Sequence, residues 1–332
     1  MTTMLARLRP ARRVTWGQEQ IVLLVVVALV IVFSVTLGGF FTLNNLLDLA
    51  RSVSALGILG IAMAVVVIAR GLDLSLIASM GVSTALAIQL MGSGLSTPLA
   101  LLVGLVVVVA LGVLNGVIIA FVEIPPLFAT LATGLFVYGF ARSAWLNGLI
   151  ADIPRDRGFV RYLGQGRPLG IPMPVILFAA VAVVAHVLLS RLTRGRFVYA
   201  HGDNSEAAAL SGIAVRPLTI GEYTVCAAIG YLAGLVLAGS VGGFNTQVIN
   251  SSLIYDVLLV VVIGGVSLVG GRGGVLSVVV GTALIGVMLN GMTIMNLNVH
   301  QQNIIKGLIL LAALVLDNRL HPRDEETVRQ GD

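Results

Sequence analysis

The chain has 332 residues, of which 58% are hydrophobic and only 11% charged, and its mean hydropathy is +1.03. Soluble domains carry about 25% charged residues, so this composition excludes an ordinary soluble domain and indicates a polytopic membrane protein. The single cysteine, Cys226, excludes an intrachain disulfide, and four histidines offer no Cys/His metal cluster. Lys306, the only lysine, precedes Gly307 in an apolar run, which excludes a Walker A loop and nucleotide hydrolysis by a P-loop of this chain.

Apolar runs of helical length follow one another along the whole chain. They predict an all-α fold with about ten transmembrane helices, at 21–40, 53–69, 73–91, 98–121, 127–146, 174–190, 219–239, 253–271, 275–295 and 303–317. The first run follows a basic segment, as in a signal peptide, but it is long enough to span the bilayer and lacks a small-residue cleavage site. We therefore expect it to be retained.

Two polar connections interrupt these runs, at 147–172 and 194–217. Cytoplasmic loops carry an excess of basic residues. An N-terminus inside gives the inner side 13 of the 20 basic residues: Arg7, Arg9, Arg12, Arg13, Arg70, Arg191, Arg194, Arg196, Arg216, Arg272, Arg319, Arg323 and Arg329. Segments 1–20, 191–218 and 318–332 are therefore predicted to be cytoplasmic, although the basic residues in and beside 147–172 weigh against this orientation.

The connection 194–217 contains the sequence of one short helix. Asp203, Asn204 or Ser205 can cap its N-terminus, and with Asp203 as the cap, Glu206 would complete a capping box. Strong helix formers follow and Gly212 is placed to end the helix in a left-handed turn; the formers are Ala207, Ala208, Ala209 and Leu210. A helix of two turns is marginal by itself. It must pack either on its own protein, as a loop helix, or against a partner.

Several polar residues interrupt the apolar runs, where such groups are costly and often functional. Asp73, in the turn RGLDLS, can cap the third helix, with Ser75 in the first turn, or line a substrate path. The amides of Gln89, Asn115 and Asn290 can hydrogen-bond a neutral polyol or hold helices together. Lys306 is expected to extend its ammonium group outward to the interface.

The same runs also carry weaker patterns. The tetrapeptide VVVI occurs at 65–68 and 260–263, each time before a glycine-rich turn, as in an internal duplication. Small residues recur four apart, in the pairs Gly112 with Gly116 and Gly230 with Gly234, a spacing that lets helices approach closely. There is no series of carboxylates and histidines for a proton relay, and no nucleophile–base or metal constellation. An ion-coupled carrier and a membrane enzyme are therefore weaker interpretations.

Five segments resemble the permeases of ABC importers, and in particular the ribose/xylose/galactose-type sugar permease family. They are GLDLS (71–75), PPLFATLATG (125–134), the loop TRGRFVYAHGDNSEAAALSGIAV (193–215), VVIGGVSLVGGRGG (261–274) and IIKGLILLAALVLD (304–317). The sequence departs from the family pattern at Arg70, where glycine is usual, at 77–78 and at Leu127. Residues 206–212 fit the start of the E-A-A-x-x-x-G motif of permeases.

The resemblance implies that residues 1–332 form one permease domain that is not an enzyme and holds no cofactor. Its partners would be two ATPase subunits that bind ATP and Mg²⁺, a second permease, a periplasmic sugar-binding protein, a monosaccharide and the lipid of the bacterial inner membrane, but no nucleic acid. The loop helix would couple to the ATPase through Asp203, Asn204, Ser205, Glu206, Ala207, Ala208 and Gly212. The candidate pathway residues are Asp73, Ser75, Asn115 and Asn290. An ion-coupled carrier, or a permease of the same family for branched-chain amino acids or nucleosides, remains the alternative.

Overall fold

A computed structural model describes the backbone of residues 18–320 and the side chains of residues 18–315. The predicted cytoplasmic segments 1–20 and 318–332 lie mostly outside the described residues.

Helices make up nearly all of the described part, which confirms the all-α prediction. They are α1 (Gln18–Thr36), α2 (Leu43–Ile68), α3 (Leu76–Gly92), α4 (Thr97–Phe121), α5 (Pro126–Ala144), α6 (Gly158–Gln165), α7 (Met173–Arg191), α8 (Thr193–Asp203), α9 (Ser205–Leu210), α10 (Val215–Val241), α11 (Leu253–Gly264), α12 (Val275–Ile294) and α13 (Val299–Leu320). Two short strands, β1 (Ile150–Asp152) and β2 (Gly243–Asn245), pair antiparallel with Ala151 opposite Phe244. Two 3₁₀ turns cover Pro168–Gly170 and Thr246–Asn250.

Seven described helices are long and apolar enough to cross a membrane, namely α1, α2, α4, α5, α7, α10 and α12. Three shorter apolar helices, α3, α11 and α13, coincide with the remaining three predicted runs. Several predicted boundaries were wrong: the second run begins at Leu43 rather than at 53, and two further errors lie at helix breaks. The third run begins at Leu76 rather than at 73, and the eighth ends at Gly264 rather than at 271. At the last of these boundaries Gly265 adopts a φ of +105°, which an α-helix cannot continue.

The two non-helical segments that cause these differences lie against each other. Residues 69–75 separate α2 from α3, and residues 265–274 separate α11 from α12. The backbone N–H of Gly271 donates to the carbonyl of Ile68 at 2.8 Å. Each segment follows one of the two VVVI motifs, so the repeated sequence precedes a helix break in both places. Irregular backbone at membrane depth is tolerated when it is buried in protein.

The core is built around α2 and α10. Helix α10 lies between α3 and α4, and small residues set both contacts. A Cβ at Gly116 would lie 2.5 Å from Cα of Ile220, and one at Gly230 would lie 2.6 Å from Cδ1 of Leu76. Gly116 therefore lets α4 contact the backbone of α10, and Gly230 makes room for side chains of α3, in line with the close packing that the four-residue spacing predicts.

The two polar connections lie at opposite ends of α2. The side chain of Arg51, near the start of α2, donates to the carbonyl of Gly164 in α6 at 3.1 Å. Gly202 of α8 lies against Ile68, the last residue of α2. Seventeen residues of helix, about 25 Å, separate Arg51 from Ile68. We call the first end, which also holds β1 and β2, the β end, and the second the α9 end.

Candidate functional site

Helix α9 has defined caps at both termini. Asn204 is the N-cap, with extended backbone, and its Oδ1 accepts a hydrogen bond from the N–H of Ala207 at 2.9 Å. Asp203 instead ends α8, so the capping box considered for Asp203 and Glu206 does not form. At the C-terminus Gly212 has a φ of +84°, and the N–H groups of Gly212 and Ile213 bond to carbonyls of the last turn. This is a Schellman motif, which glycine favours.

Only one side chain of α9, Ala208, is buried against the rest of the protein. Glu206, Ala207 and Ala209 are exposed, and the Leu210 side chain is 90% exposed. Sequence reasoning treated Leu210 only as a helix former. The available signal was a large apolar residue in the last turn of an otherwise polar loop helix. Together these residues present an uncovered surface at the tip of the α9 end.

The segment that carries α9 is fastened to both helix breaks. Gly202 packs so closely that an added Cβ would overlap the carbonyl oxygen of Ile68 and contact the N atom of Gly271. The hydroxyl of Tyr199 donates to the carbonyl of Gly273 at 2.9 Å. A displacement of α8 and α9 therefore acts directly on the segments 69–75 and 265–274.

Three of the four candidate pathway residues meet in one buried group. Oδ1 of Asp73 accepts from the N–H of Ser75 at 3.0 Å and from its hydroxyl at 2.6 Å. The Asn115 amide donates to that hydroxyl at 2.7 Å, and Thr133 donates to Oδ1 of Asn115 at 2.6 Å. Asp73, Ser75 and Asn115 are each at most 2% exposed. This series of hydrogen bonds links the start of α3 to α4 and α5. It includes Thr133, which was not among the residues predicted from the sequence.

Two further hydroxyl groups hold the same loop. Oγ1 of Thr130 accepts from the N–H of Leu74 at 3.1 Å, and the Tyr223 hydroxyl donates to the carbonyl of Leu72 at 3.3 Å. The loop that carries Asp73 is thus tied to α5 and α10. The interpretation of Asp73 as the N-cap of α3, with Ser75 in the first turn, was wrong. The N-cap is Ser75, and the Asp73 carboxylate instead accepts from the N–H and the hydroxyl of Ser75.

The remaining polar candidates lie elsewhere. Asn290 forms a reciprocal pair with Asn45, with both amide contacts at 3.0 Å, far from the Asp73 group. Gln89 bonds to the backbone of Trp145 and Asn147 at the β end, at 2.7 and 3.0 Å.

The prediction that Lys306 extends outward was wrong. Its Nζ lies 2.7 Å from Oδ1 of Asp256, and the two side chains are only 12% and 15% exposed. Helix α13 lies beside α11, which places the lysine against a carboxylate fifty residues earlier in the chain. The carboxylate compensates the buried ammonium group, so Lys306 has no need to reach the interface.

An open cavity of about 690 Å³ lies between α9, the segment after α2, the α4–α5 link and the start of α10. Arg216 and Glu123 form an exposed ion pair at 3.1 Å among its lining residues. His201 and Glu222 also line it, but both are largely buried. Burial and the nearby positive charge of Arg70 lower the pKa of His201 below its ordinary value, so its imidazole is neutral at neutral pH.

Residues 45–314 match the family model described as the permease component of the branched-chain amino acid transport system. The chain belongs to this permease family. No solved structure is detectably similar to it. The permease is 30% identical to the ribose import permease protein RbsC of Escherichia coli (strain K12), over 92% of this chain and 95% of that protein. It is 32% identical to RbsC of Bacillus subtilis (strain 168), over 88% and 90%. The identity to the fructose import permease protein FrcC of Rhizobium meliloti is 31%, over 89% and 84%.

Membership of this family, together with the apolar helices, makes the chain a multi-pass membrane permease, a transport subunit of an import system. The predicted family is thereby confirmed. The resemblance covers the segments that form α9, the Asp73 loop and both helix breaks, since all lie between residues 45 and 314.

Proposed function

We propose that this permease is the membrane subunit of an ATP-driven importer that carries a monosaccharide or a related polyol into the cytoplasm. The observation that carries the proposal is near full-length similarity to permeases named for ribose, fructose, D-allose and galactofuranose. The neutral amides and hydroxyls of its buried polar groups are compatible with an uncharged, hydroxyl-rich substrate.

Energy for transport would come from separate ATPase subunits that hold ATP and Mg²⁺, with no cofactor in this chain. Helix α9 is the element proposed to dock on them, since it is capped at both ends, exposed at Leu210 and directly follows α8, which packs against both helix breaks. A short rigid helix suits recognition in a groove. The α9 end would then face the cytoplasm, and the β end would receive sugar from a periplasmic binding protein. A second permease, identical or homologous, would complete the membrane unit.

The substrate class is tested with the complete transporter in vesicles that contain ATP. We expect ATP-dependent uptake of at least one of ribose, fructose, D-allose or galactofuranose. Because the family model is described by branched-chain amino acids, leucine and valine are assayed in parallel, together with a nucleoside. Uptake of an amino acid or a nucleoside without uptake of any sugar would show that the substrate is of that class and not a sugar.

A further inference from the structure

The segment that carries α9 and the long helix α10 meet at a buried polar contact. Nε2 of His201, near the end of α8, lies 4.0 Å from Oε2 of Glu222 and 3.4 Å from Oγ1 of Thr219. The side chains of His201 and Glu222 are 12% and 3% exposed. Ordinary cores do not bury two titratable groups together without a partner for each polar atom.

These two side chains are incompletely satisfied. Nδ1 of His201 and Oε1 of Glu222 are buried and have no hydrogen-bond partner among the described residues. The 4.0 Å between Nε2 and Oε2 is about 1 Å longer than a hydrogen bond. A small movement of α8 toward α10 would therefore close the contact.

Protonation decides whether closing this contact is favoured. If the pair holds one added proton, on the imidazole or on the carboxyl group, it is electrically neutral and can close without burying net charge. If it holds none, a carboxylate remains buried beside a neutral imidazole, which is costly in a low-dielectric site. The contact is therefore stronger at low pH and weaker as the pH rises and the added proton leaves.

Other charged groups surround the pair and influence which of its protonation states is favoured. From the segment after α2, Arg70 faces His201 and opposes a positive charge there. Groups on the neighbouring elements are Glu206 on α9, the ion pair of Glu123 with Arg216 across the cavity, Tyr223 on α10, and Asp203 and the exposed Arg272 beside the α11–α12 break. Glu123 and Arg216 compensate each other. Among the cavity-lining residues this leaves Arg70 and Glu206 as the charges that form no ion pair within the described part of the chain.

The pair lies between α8, which precedes α9, and α10, so a displacement of α9 would be transmitted to the membrane helices at this point. His201 immediately precedes Gly202, which contacts the end of α2. Glu222 immediately precedes Tyr223, whose hydroxyl bonds to Leu72 in the loop that carries Asp73. Closing or opening the contact thus changes how firmly α8 is held to the helix that supports this loop.

We propose that His201 and Glu222 are positioning residues that share a proton and hold α8 against α10, so that displacement of α9 reaches the α2–α3 break and coupling of ATP hydrolysis to uptake weakens as cytoplasmic pH rises. The inference rests on the proposed function as an ATP-driven importer.

The test measures sugar taken up per ATP hydrolysed by the complete transporter in vesicles, at internal pH from about 6 to about 9. The wild-type ratio should fall at least about threefold over this range, which corresponds to a small change in coupling free energy. Glu222→Gln keeps the shape and the capacity to hydrogen-bond but cannot ionise, so its ratio should stay flat. His201→Leu should lower the ratio at all pH values, and the double variant His201→Leu/Glu222→Leu should restore a pH-independent ratio.

Glu123→Gln serves as the matched control, because Glu123 borders the same cavity but is exposed and paired with Arg216. It should keep the wild-type pH profile. A Glu222→Gln variant with the wild-type profile, or a wild type without any pH dependence, overturns the proposal.

A second measurement separates this result from failure of the proposed function. Spin labels on cysteines at the exposed positions Arg196 in α8 and Gly221 in α10, in a Cys226→Ser background, report the separation of the two helices in the purified permease. The separation should increase with pH, and Glu222→Gln should abolish the change. If no substrate is transported but the helix separation still changes with pH, the proposed importer function is wrong and the proposed contact between His201 and Glu222 is supported. If the separation does not change with pH, the proposed contact is wrong, whatever substrate the transporter carries.

Discussion

At the scale of single residues, we expect the exposed tip of α9 to contact a partner and the buried Asp73 group to hold the structure. Leu210 is 90% exposed at the end of the capped helix that is proposed to dock on the ATPase. Asp73 is 1% exposed and bonded to its own loop, so its surroundings already explain its presence. The first residue is a candidate for contact with a partner and the second for holding structure.

We expect Leu210→Asp to abolish co-purification of the ATPase with the permease, because a charge in the centre of an apolar contact is costly, at about 2 kcal/mol or more. Leu210→Met should retain the ATPase. Leu169→Asp is the control, since Leu169 is fully exposed at the other end of the molecule, and it should retain the ATPase as well. Retention of the ATPase by Leu210→Asp would show that α9 docks through other residues.

Asp73→Asn should leave transport within about threefold of wild type, because one amide oxygen can still accept from the N–H and hydroxyl of Ser75. Asp73→Ala removes that acceptor and should destabilise the permease by about 1–2 kcal/mol. Uptake assays and thermal unfolding in detergent give the two values. If Asp73→Asn is as stable as wild type but transports nothing, the carboxylate itself contacts the substrate.

At the scale of helices, glycines set how closely α10 packs: α4 contacts its backbone, and side chains of α3 pack onto its glycines. Gly112 and Gly116 bring α4 onto one side of it, and Gly230 and Gly234 let α3 approach the other. Dispersion contacts drive helix association in a bilayer, where lipid offers no hydrophobic gain, so close approach of backbones is the main stabilising device.

Gly116→Ala should therefore destabilise the permease by about 1–3 kcal/mol, because the new Cβ would lie 2.5 Å from Cα of Ile220 and the helices must separate. Gly221→Ala is the matched control on α10. Nothing lies within 4 Å of its added Cβ, so it should be neutral or slightly stabilising. Melting temperatures in detergent compare the two variants, and equal values would show that close packing at Gly116 does not stabilise the permease.

At the scale of the whole molecule, the two ends of the permease differ in structure. Helix α9 and the breaks it contacts occupy one end, and the β1–β2 pair with α6 occupies the other. An importer needs its ATPase contact inside and its sugar-delivery surface outside, so the proposed function predicts different partners for the two ends.

The orientation is tested by single cysteines in a Cys226→Ser background. Cys226 is buried, which makes the exchange for serine conservative. An impermeant thiol reagent added outside intact cells should modify Gly158→Cys, an exposed position at the β end, and spare Ser211→Cys, an exposed position at the α9 end. The reverse labelling pattern would invert the permease in the membrane.

Vesicles that contain this permease alone should accumulate no sugar, with or without a proton gradient. The sequence has no Walker A lysine and no carboxylate relay through which the chain could use ATP or an ion gradient. Addition of the ATPase, the binding protein and internal ATP should start uptake. Gradient-driven accumulation by the lone permease would establish an ion-coupled carrier instead.

The sequence by itself determined the features that depend on neighbours along the chain. Ten apolar runs specify the apolar helices, because a run of hydrophobic residues of sufficient length is stable only as a helix in lipid. The ends of α9 at Asn204 and Gly212 follow from cap chemistry, although three residues were equal candidates for the first. The four-residue glycine spacing predicted close packing but not the partner helix.

Only the tertiary structure decided which distant polar groups meet. Asp73 with Asn115 and Thr133, Lys306 with Asp256, and His201 with Glu222 are pairings between separate helices. No local pattern encodes them, because the rotation and depth of each helix are set by packing against its neighbours. The same holds for the contact of Gly271 with Ile68, which joins the two helix breaks beneath α9. Local sequence predicted a glycine-rich turn at each break, and packing of α8 against both breaks brought the segment that carries α9 to that junction.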